Sequence, residues 1–209
     1  MTRSLAGLVG TCILCGLVML PAHAQQPMPK RLVGDYGYWS RTQAPPYSSA
    51  QIPFGKLTHI NHAGVAFNAD GSLAVPTDPP FLELELIRKA HAAGVKVLLL
   101  LGGDFAGIET TPGGLETLLA NLRTFITTND YDGLDIDWEY PSSTTDTHLF
   151  YALMTGLRHT FPRPRYLLSA DVPPWGEPER CPGPGTGDRL LERYDVRLRR
   201  ALDLSLIHI

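Results

Sequence analysis

Cysteine is scarce: three residues in 209, and two of them, Cys12 and Cys15, lie inside one apolar run near the N-terminus. That leaves Cys181 as the only cysteine of the remainder, a free thiol or one whose partner is missing, so residues 25–209 carry no disulfide framework of their own. Charge of one sign is missing as well. Eighteen Lys and Arg against 21 Asp and Glu give a formal net charge of -3, so no basic surface points to nucleic acid. Long hydrophobic runs are absent too; the longest, residues 5–20, is short for a membrane span of about 20 residues. With Arg3 before it and Pro21-Ala-His-Ala24 after it, this run reads as a signal peptide, residues 1–24, cut after Ala24. The protein is then expected to be secreted, extracellular or periplasmic, with no membrane association after cleavage. Residues 25–30 read as a Gln/Pro linker.

What the chain does have is one unusual stretch, Asp132-Gly-Leu-Asp135-Ile-Asp137-Trp-Glu139-Tyr-Pro141. Successive strand residues point to opposite faces, so Asp135, Asp137 and Glu139 project together and Leu134, Ile136 and Trp138 take the other side. Three crowded carboxylates backed by an apolar face cannot all ionise, and one is expected to hold a proton near neutral pH, as a general acid requires. Asp132 is out of phase; it needs an irregularity at Gly133 to join them, or it does structural work.

Around this stretch strands and helices alternate. Strands are expected at residues 31–39, 56–67, 95–101 and 166–172, helices at 80–93, 114–128 and 147–160, and a helical start near Tyr194. The run Val95-Lys-Val-Leu-Leu-Leu-Leu101, ending in Gly102-Gly103, has the pattern of a strand buried on both faces of a parallel sheet. Such alternation predicts α/β architecture, either a barrel or an open doubly wound sheet.

Asp132-x-x-Asp135-x-Asp137-x-Glu139, with Gly133, Trp138, Tyr140 and Pro141, resembles the signature of glycoside hydrolase family 18, the chitinase family. The likeness extends to Leu57-Thr-His-Ile-Asn61, to Lys96-Val-Leu-Leu99 with Gly102-Gly103, and to Leu167-Leu-Ser-Ala170. The resemblance implies a (β/α)8 TIM barrel with the acids on its fourth strand. It also implies hydrolysis of chitin or N-acetylglucosamine oligosaccharides by a monomer that needs neither cofactor nor metal. By the same resemblance Glu139 is the acid and base, Asp137 steadies the substrate's acetamido group, and Asp135 shares a proton with Asp137. Gly102, Gly103, Asp132 and Gly133 complete the motif. Tyr36, Trp39, Tyr140 and Trp175, at expected strand ends or beside the acid, are candidate sugar-stacking residues. An endo-β-N-acetylglucosaminidase acting on glycoprotein glycans, or a non-catalytic sugar-binding member, would share much of this pattern.

Asp-x-Asp-x-Glu could instead hold a hard cation, but nothing beyond the acids themselves supports it. His59 and His62 fall on opposite strand faces, and His91, His148 and His159 fall on expected helices. Gly183-Pro-Gly-Thr-Gly187 lacks the Lys-Ser/Thr of a phosphate loop. Leu100 and Asp104 depart from the serine and tryptophan that the family often carries there.

A (β/α)8 barrel takes about 250 residues, and only about five βα units are legible in residues 31–203. The resemblance implies a later strand bearing Met-x-Tyr-Asp, which this sequence does not contain. Residues 204–209, Leu-Ser-Leu-Ile-His-Ile, resemble the translated end of a sequencing adapter and are expected to be a non-native tail. Sequencing the parent locus through the Asp203 codon is expected to reveal an in-frame continuation encoding Met-x-Tyr-Asp; a genuine stop after Ile209 would overturn that expectation.

Overall fold

The computed structural model describes residues 30–172 and 204–207. The chain separates after Lys30 into two units, and every strand and helix below belongs to the second, Arg31–Ile209. In order they are β1 (Val33–Gly37), β2 (His59–Phe67), β3 (Leu73–Ala74), α1 (Leu84–Ala92), β4 (Lys96–Gly103), α2 (Phe105–Thr110), α3 (Gly114–Thr128), β5 (Gly133–Ile136), α4 (Thr144–Thr160), β6 (Leu167–Val172) and β7 (Leu204–Ile207).

One sheet runs β1-β2-β4-β5-β6-β7, every neighbouring pair parallel, with β3 turned back antiparallel on β2. The spatial order of the parallel strands follows their order in sequence. A doubly wound sheet would reverse that order at a switch point, with helices on both faces. Here α1, α3 and α4 all join one apolar layer on one face: Leu86, Ile87 and Ala90, then Leu118, Leu122 and Ile126, then Leu153, Met154 and Leu157. They meet Ile60, Val97, Leu99, Leu134, Ile136 and Leu168 from the strands. The architecture is the wall of a (β/α)8 barrel, incomplete, with its helices outside.

Most elements fall where the hydrophobic periodicity puts them, and the differences have local causes. α1 starts at Leu84 rather than near Pro80, because Thr77 and Pro80 form a β-bridge. In addition, the Glu83 carboxylate is taken by Tyr36, whose hydroxyl donates to it at 2.8 Å, and by the hydroxyl of Ser49. α4 starts at Thr144, three residues early, because Ser143 and Asp146 form a reciprocal capping box. α2, unexpected from periodicity, is a six-residue turn of helix whose Asp104 accepts a hydrogen bond from the Gly107 N–H at 2.8 Å. Leu204–Ile207, within the stretch read as a tail, pairs in parallel with β6 and makes a sixth parallel strand where five were expected. An apolar, isoleucine- and leucine-rich segment will pair with an open strand edge whatever its origin. The expected helix near Tyr194 and Cys181 lie outside the described residues.

On the helix side of β2, His62 is fully buried. Its ring stacks on Phe81 with centroids 4.2 Å apart, and Nδ1 lies 2.8 Å from the Tyr131 hydroxyl. Burial, with a smaller contribution from Arg41, pushes its pKa down from 6.5 to about 3. The folded state therefore holds His62 neutral where the unfolded chain protonates it. Its contribution to stability is complete above pH 6.5 and is lost as pH falls toward 3. Urea denaturation is expected to show about 3 kcal/mol of stability disappearing between pH 6.5 and 4 through this group alone. A His62→Phe variant should show a shallower acid slope; an unchanged slope would overturn the assignment.

Candidate active site

The other face of the sheet, which would line the barrel, is polar near the strand ends. β5 is only four residues long, but its alternation continues past its end, and the Asp137 N–H still donates to the Leu101 carbonyl at 3.0 Å. Trp138 turns to the helix side, as its phase requires. It stacks on Phe105 with centroids 4.1 Å apart and meets Phe150 edge-on at 5.9 Å. With Trp138 held there, Asp137 and Glu139 project from the opposite side at the C-terminal end of the strand, where barrel chemistry is housed.

Asp135 sits deepest, at 1% exposure. Its Oδ2 accepts from Asn61 Nδ2 at 2.9 Å, reaching across from β2, while Oδ1 is buried with no hydrogen-bond partner among the described residues. Its pKa is pushed up from 3.8 to about 7, first by burial and then by the charges of Asp171, Asp35 and Asp137; the nearby Ser169 hydroxyl pulls the other way. This carboxyl is one that holds a proton near neutral pH.

Above it, Asp137 is half-buried, Glu139 is exposed and Asp171 of β6 is buried, and each offers an oxygen within 4.8 Å of the other two. A hard cation could span that spacing, yet three carboxylates do not by themselves single out a metal. Tyr140 lies beside them: slight desolvation, then the charges of Glu139, Asp171 and Asp137, raise the pKa of its hydroxyl.

Asp132 does not join this group. It points to the N-terminal end of the sheet, where Lys96 Nζ reaches Oδ1 at 2.7 Å, and His91 Nε2 and the Val97 N–H reach Oδ2 at 2.7 and 3.0 Å. Gly133 permits the close approach of the parallel strands β5 and β6 at this point, since a Cβ there would land on the Leu167 carbonyl. A pocket of about 290 Å³ lined by His91, Lys96, Asp130, Asp132 and Arg165 opens at this end, away from the acids. Of the paired glycines, Gly103 leaves no room for a Cβ against the Phe67 ring, whereas Gly102 sits in ordinary contact distance of its surroundings.

The aromatic candidates divide. Trp39, in the 3-10 turn after β1, is 46% exposed and edge-on to Tyr38, at the same sheet end as Glu139. Tyr36, expected as a sugar platform, is instead a core residue at 3% exposure, its ring stacked near His62 and its hydroxyl bound to Glu83. The cause is phase: on β1 it shares the helix-side face with the apolar layer. Trp175 lies outside the described residues. Sequence reasoning missed Asn61, Asp35 and Asp171. The detectable signal was alternation, for Ser169 and Asp171 are polar at every second position of an otherwise apolar strand.

Burial would raise the Asp132 carboxyl, but Lys96, the Val97 N–H and His91 outweigh it and hold its pKa below 3.8. Its contribution to stability is present above that value and lost as pH falls below it. Asp132→Ala is expected to remove about 2–3 kcal/mol of stability at pH 7 and to leave the titration of Asp135 unchanged, as read by carboxyl NMR. A neutral effect on stability would overturn the structural role.

Residues 31–179 match the family model described as glycosyl hydrolases family 18. Chitinase ChiA of Flavobacterium johnsoniae is 29% identical over 157 residues, 61% of this chain and 10% of that protein. Chitotriosidase-1 of Mus musculus is 29% identical over 155 residues, 65% of this chain and 33% of that protein. Among solved structures, the catalytic domain 2 of an Ostrinia furnacalis Group II chitinase, crystallised as a mutant with a chito-oligosaccharide, superposes with a TM-score of 0.67 at 23% identity. That match covers 85% of this chain and 49% of that one. The chain thus spans a third or less of these curated relatives and about half of the solved domain, and it belongs to glycosyl hydrolase family 18.

Proposed function

We propose that this chain is the N-terminal part of a secreted chitinase that cleaves β-1,4-linked N-acetylglucosamine polymers with retention of configuration, using the substrate's own acetamido group. One observation carries the reading: Asp137 and Glu139 stand together at the C-terminal end of β5, above a buried Asp135 whose pKa lies near 7. Support also comes from the names of the relatives, which are chitinases, and from the chito-oligosaccharide bound by the Ostrinia furnacalis domain.

In this mechanism Glu139, exposed and so accessible to a polymer, donates its proton to the glycosidic oxygen as the bond to the anomeric carbon breaks. The acetamido oxygen of the same sugar attacks that carbon and closes an oxazolinium ring. Asp137 accepts a hydrogen bond from the acetamido N–H and balances the positive charge. Asp135, protonated near neutral pH, donates to Asp137 and fixes its orientation. Water then gives up a proton to Glu139 and attacks the anomeric carbon, which reopens the acetamido group and restores the acid. Trp39 offers an aromatic face for a neighbouring sugar. Residues 1–24 carry the protein through the secretory route.

The test is hydrolysis of a labelled chito-oligosaccharide by the full-length parent protein and by its Glu139→Gln variant. The parent is expected to turn over, the variant to lose at least about 100-fold in kcat, and the 209-residue chain alone to be inactive. Tight binding without turnover by the parent would sink the enzymatic reading.

A further inference from the structure

Asp171 is not accounted for by the acidic signature. It lies on the neighbouring strand, and its place follows from register. Asp135 pairs with Ser169 and Ile136 with Ala170, so one step further brings Asp171 alongside Asp137. Its side chain faces the same interior as Ser169, two residues before it, and is 4% exposed. Its carboxylate oxygen falls within 4.8 Å of both Asp137 and Glu139. Underneath, Asp135 has one buried oxygen without a hydrogen-bond partner among the described residues. Three carboxyl groups therefore meet above the buried Asp135, with Asp171 on the closed side of the group and Glu139 on its open side.

We propose that Asp171 is a positioning residue for the hydrolysis, a fourth carboxylate packed against the Asp135–Asp137–Glu139 group that strengthens its hold on a shared proton. So little of Asp171 is exposed that it offers almost no surface to a sugar, and its influence must pass through its neighbours. Among the described residues, the groups facing it are the acids Asp135, Asp137 and Glu139 and the Tyr140 hydroxyl from β5 and the loop that follows. Asp35 from β1, Asn61 from β2 and Ser169 from β6 gather on the same Asp135 below. β7, on the other flank of β6, brings no ionisable residue. Of the charges acting on Asp135, that of Asp171 is the largest. Like charges this close favour a shared proton over full ionisation, and the pKa values that result belong to the cluster as a whole. A proton retained there serves the mechanism by keeping Asp137 oriented.

This inference rests on the glycosidase reading for its catalytic consequence, but the proton holding can be read without turnover. Asp171→Asn removes the charge at nearly constant shape, Asp171→Glu restores it, and Asp171→Ser replaces the Asn variant if that does not fold. In the full-length protein, the alkaline limb of kcat/KM on a chito-oligosaccharide is expected to move down by about one pH unit in Asp171→Asn. KM should be nearly unchanged, and the limb should return in Asp171→Glu. Carboxyl 13C NMR without substrate is expected to show the raised titration of the cluster falling by a similar amount. If both the limb and the titration stay in place in Asp171→Asn, the inference is overturned. If the parent shows no hydrolysis while the NMR titration falls, the inference about the cluster stands and the glycosidase reading fails.

Discussion

Everything at the working end of this protein depends on the two-residue period of one strand. Carboxylates at 135, 137 and 139 can converge only because leucine, isoleucine and tryptophan at 134, 136 and 138 are pulled the other way by a helix layer. That layer supplies the hydrophobic free energy, and the acids are held in mutual repulsion against it. Remove the anchoring, and the like charges would separate into solvent and titrate as ordinary carboxylates. The raised proton affinity of Asp135 is thus a property of the packing on the far side of the sheet as much as of the acids themselves.

The two ends of the strand treat charge in opposite ways. Asp132, at the N-terminal end, is surrounded by Lys96, His91 and a backbone N–H, so its charge is neutralised and its pKa falls. Asp135, three residues later, is buried among acidic neighbours, so its pKa rises. A single motif therefore contains one carboxylate held below the usual range by cationic and N–H partners and one held above it by burial. The phase break between them was visible in the sequence, although its outcome was not: whether Asp132 joined the cluster depended on Lys96 and His91, which come from other elements.

Much else was legible for the same reason, since periodicity reports which face a residue takes. The parallel strands, the helices α3 and α4, and the burial of Leu134 and Ile136 follow directly from spacing. What escaped was set by tertiary contact. Glu83 gave up the start of a helix to Tyr36 and Ser49. Asp104, notable in the sequence only as a departure, turned out to cap a short helix. Tyr36 was read by residue type, as an aromatic near a strand end, when its phase would have placed it in the core. Asn61 lay in a family-like stretch without a role of its own and Asp171 in none; only knowing which strands are neighbours brings them to Asp135.

Trp138 gives the acids a mechanical link to the outside of the barrel. Its ring lies flat against Phe105 of α2 and edge-on to Phe150 of α4, while the residues on either side of it in the chain are Asp137 and Glu139. The packing of the outer aromatic layer and the placement of the two carboxylates are thus joined through one backbone position, and a substitution at Phe105 or Phe150 bears on the inner face of the sheet without touching it.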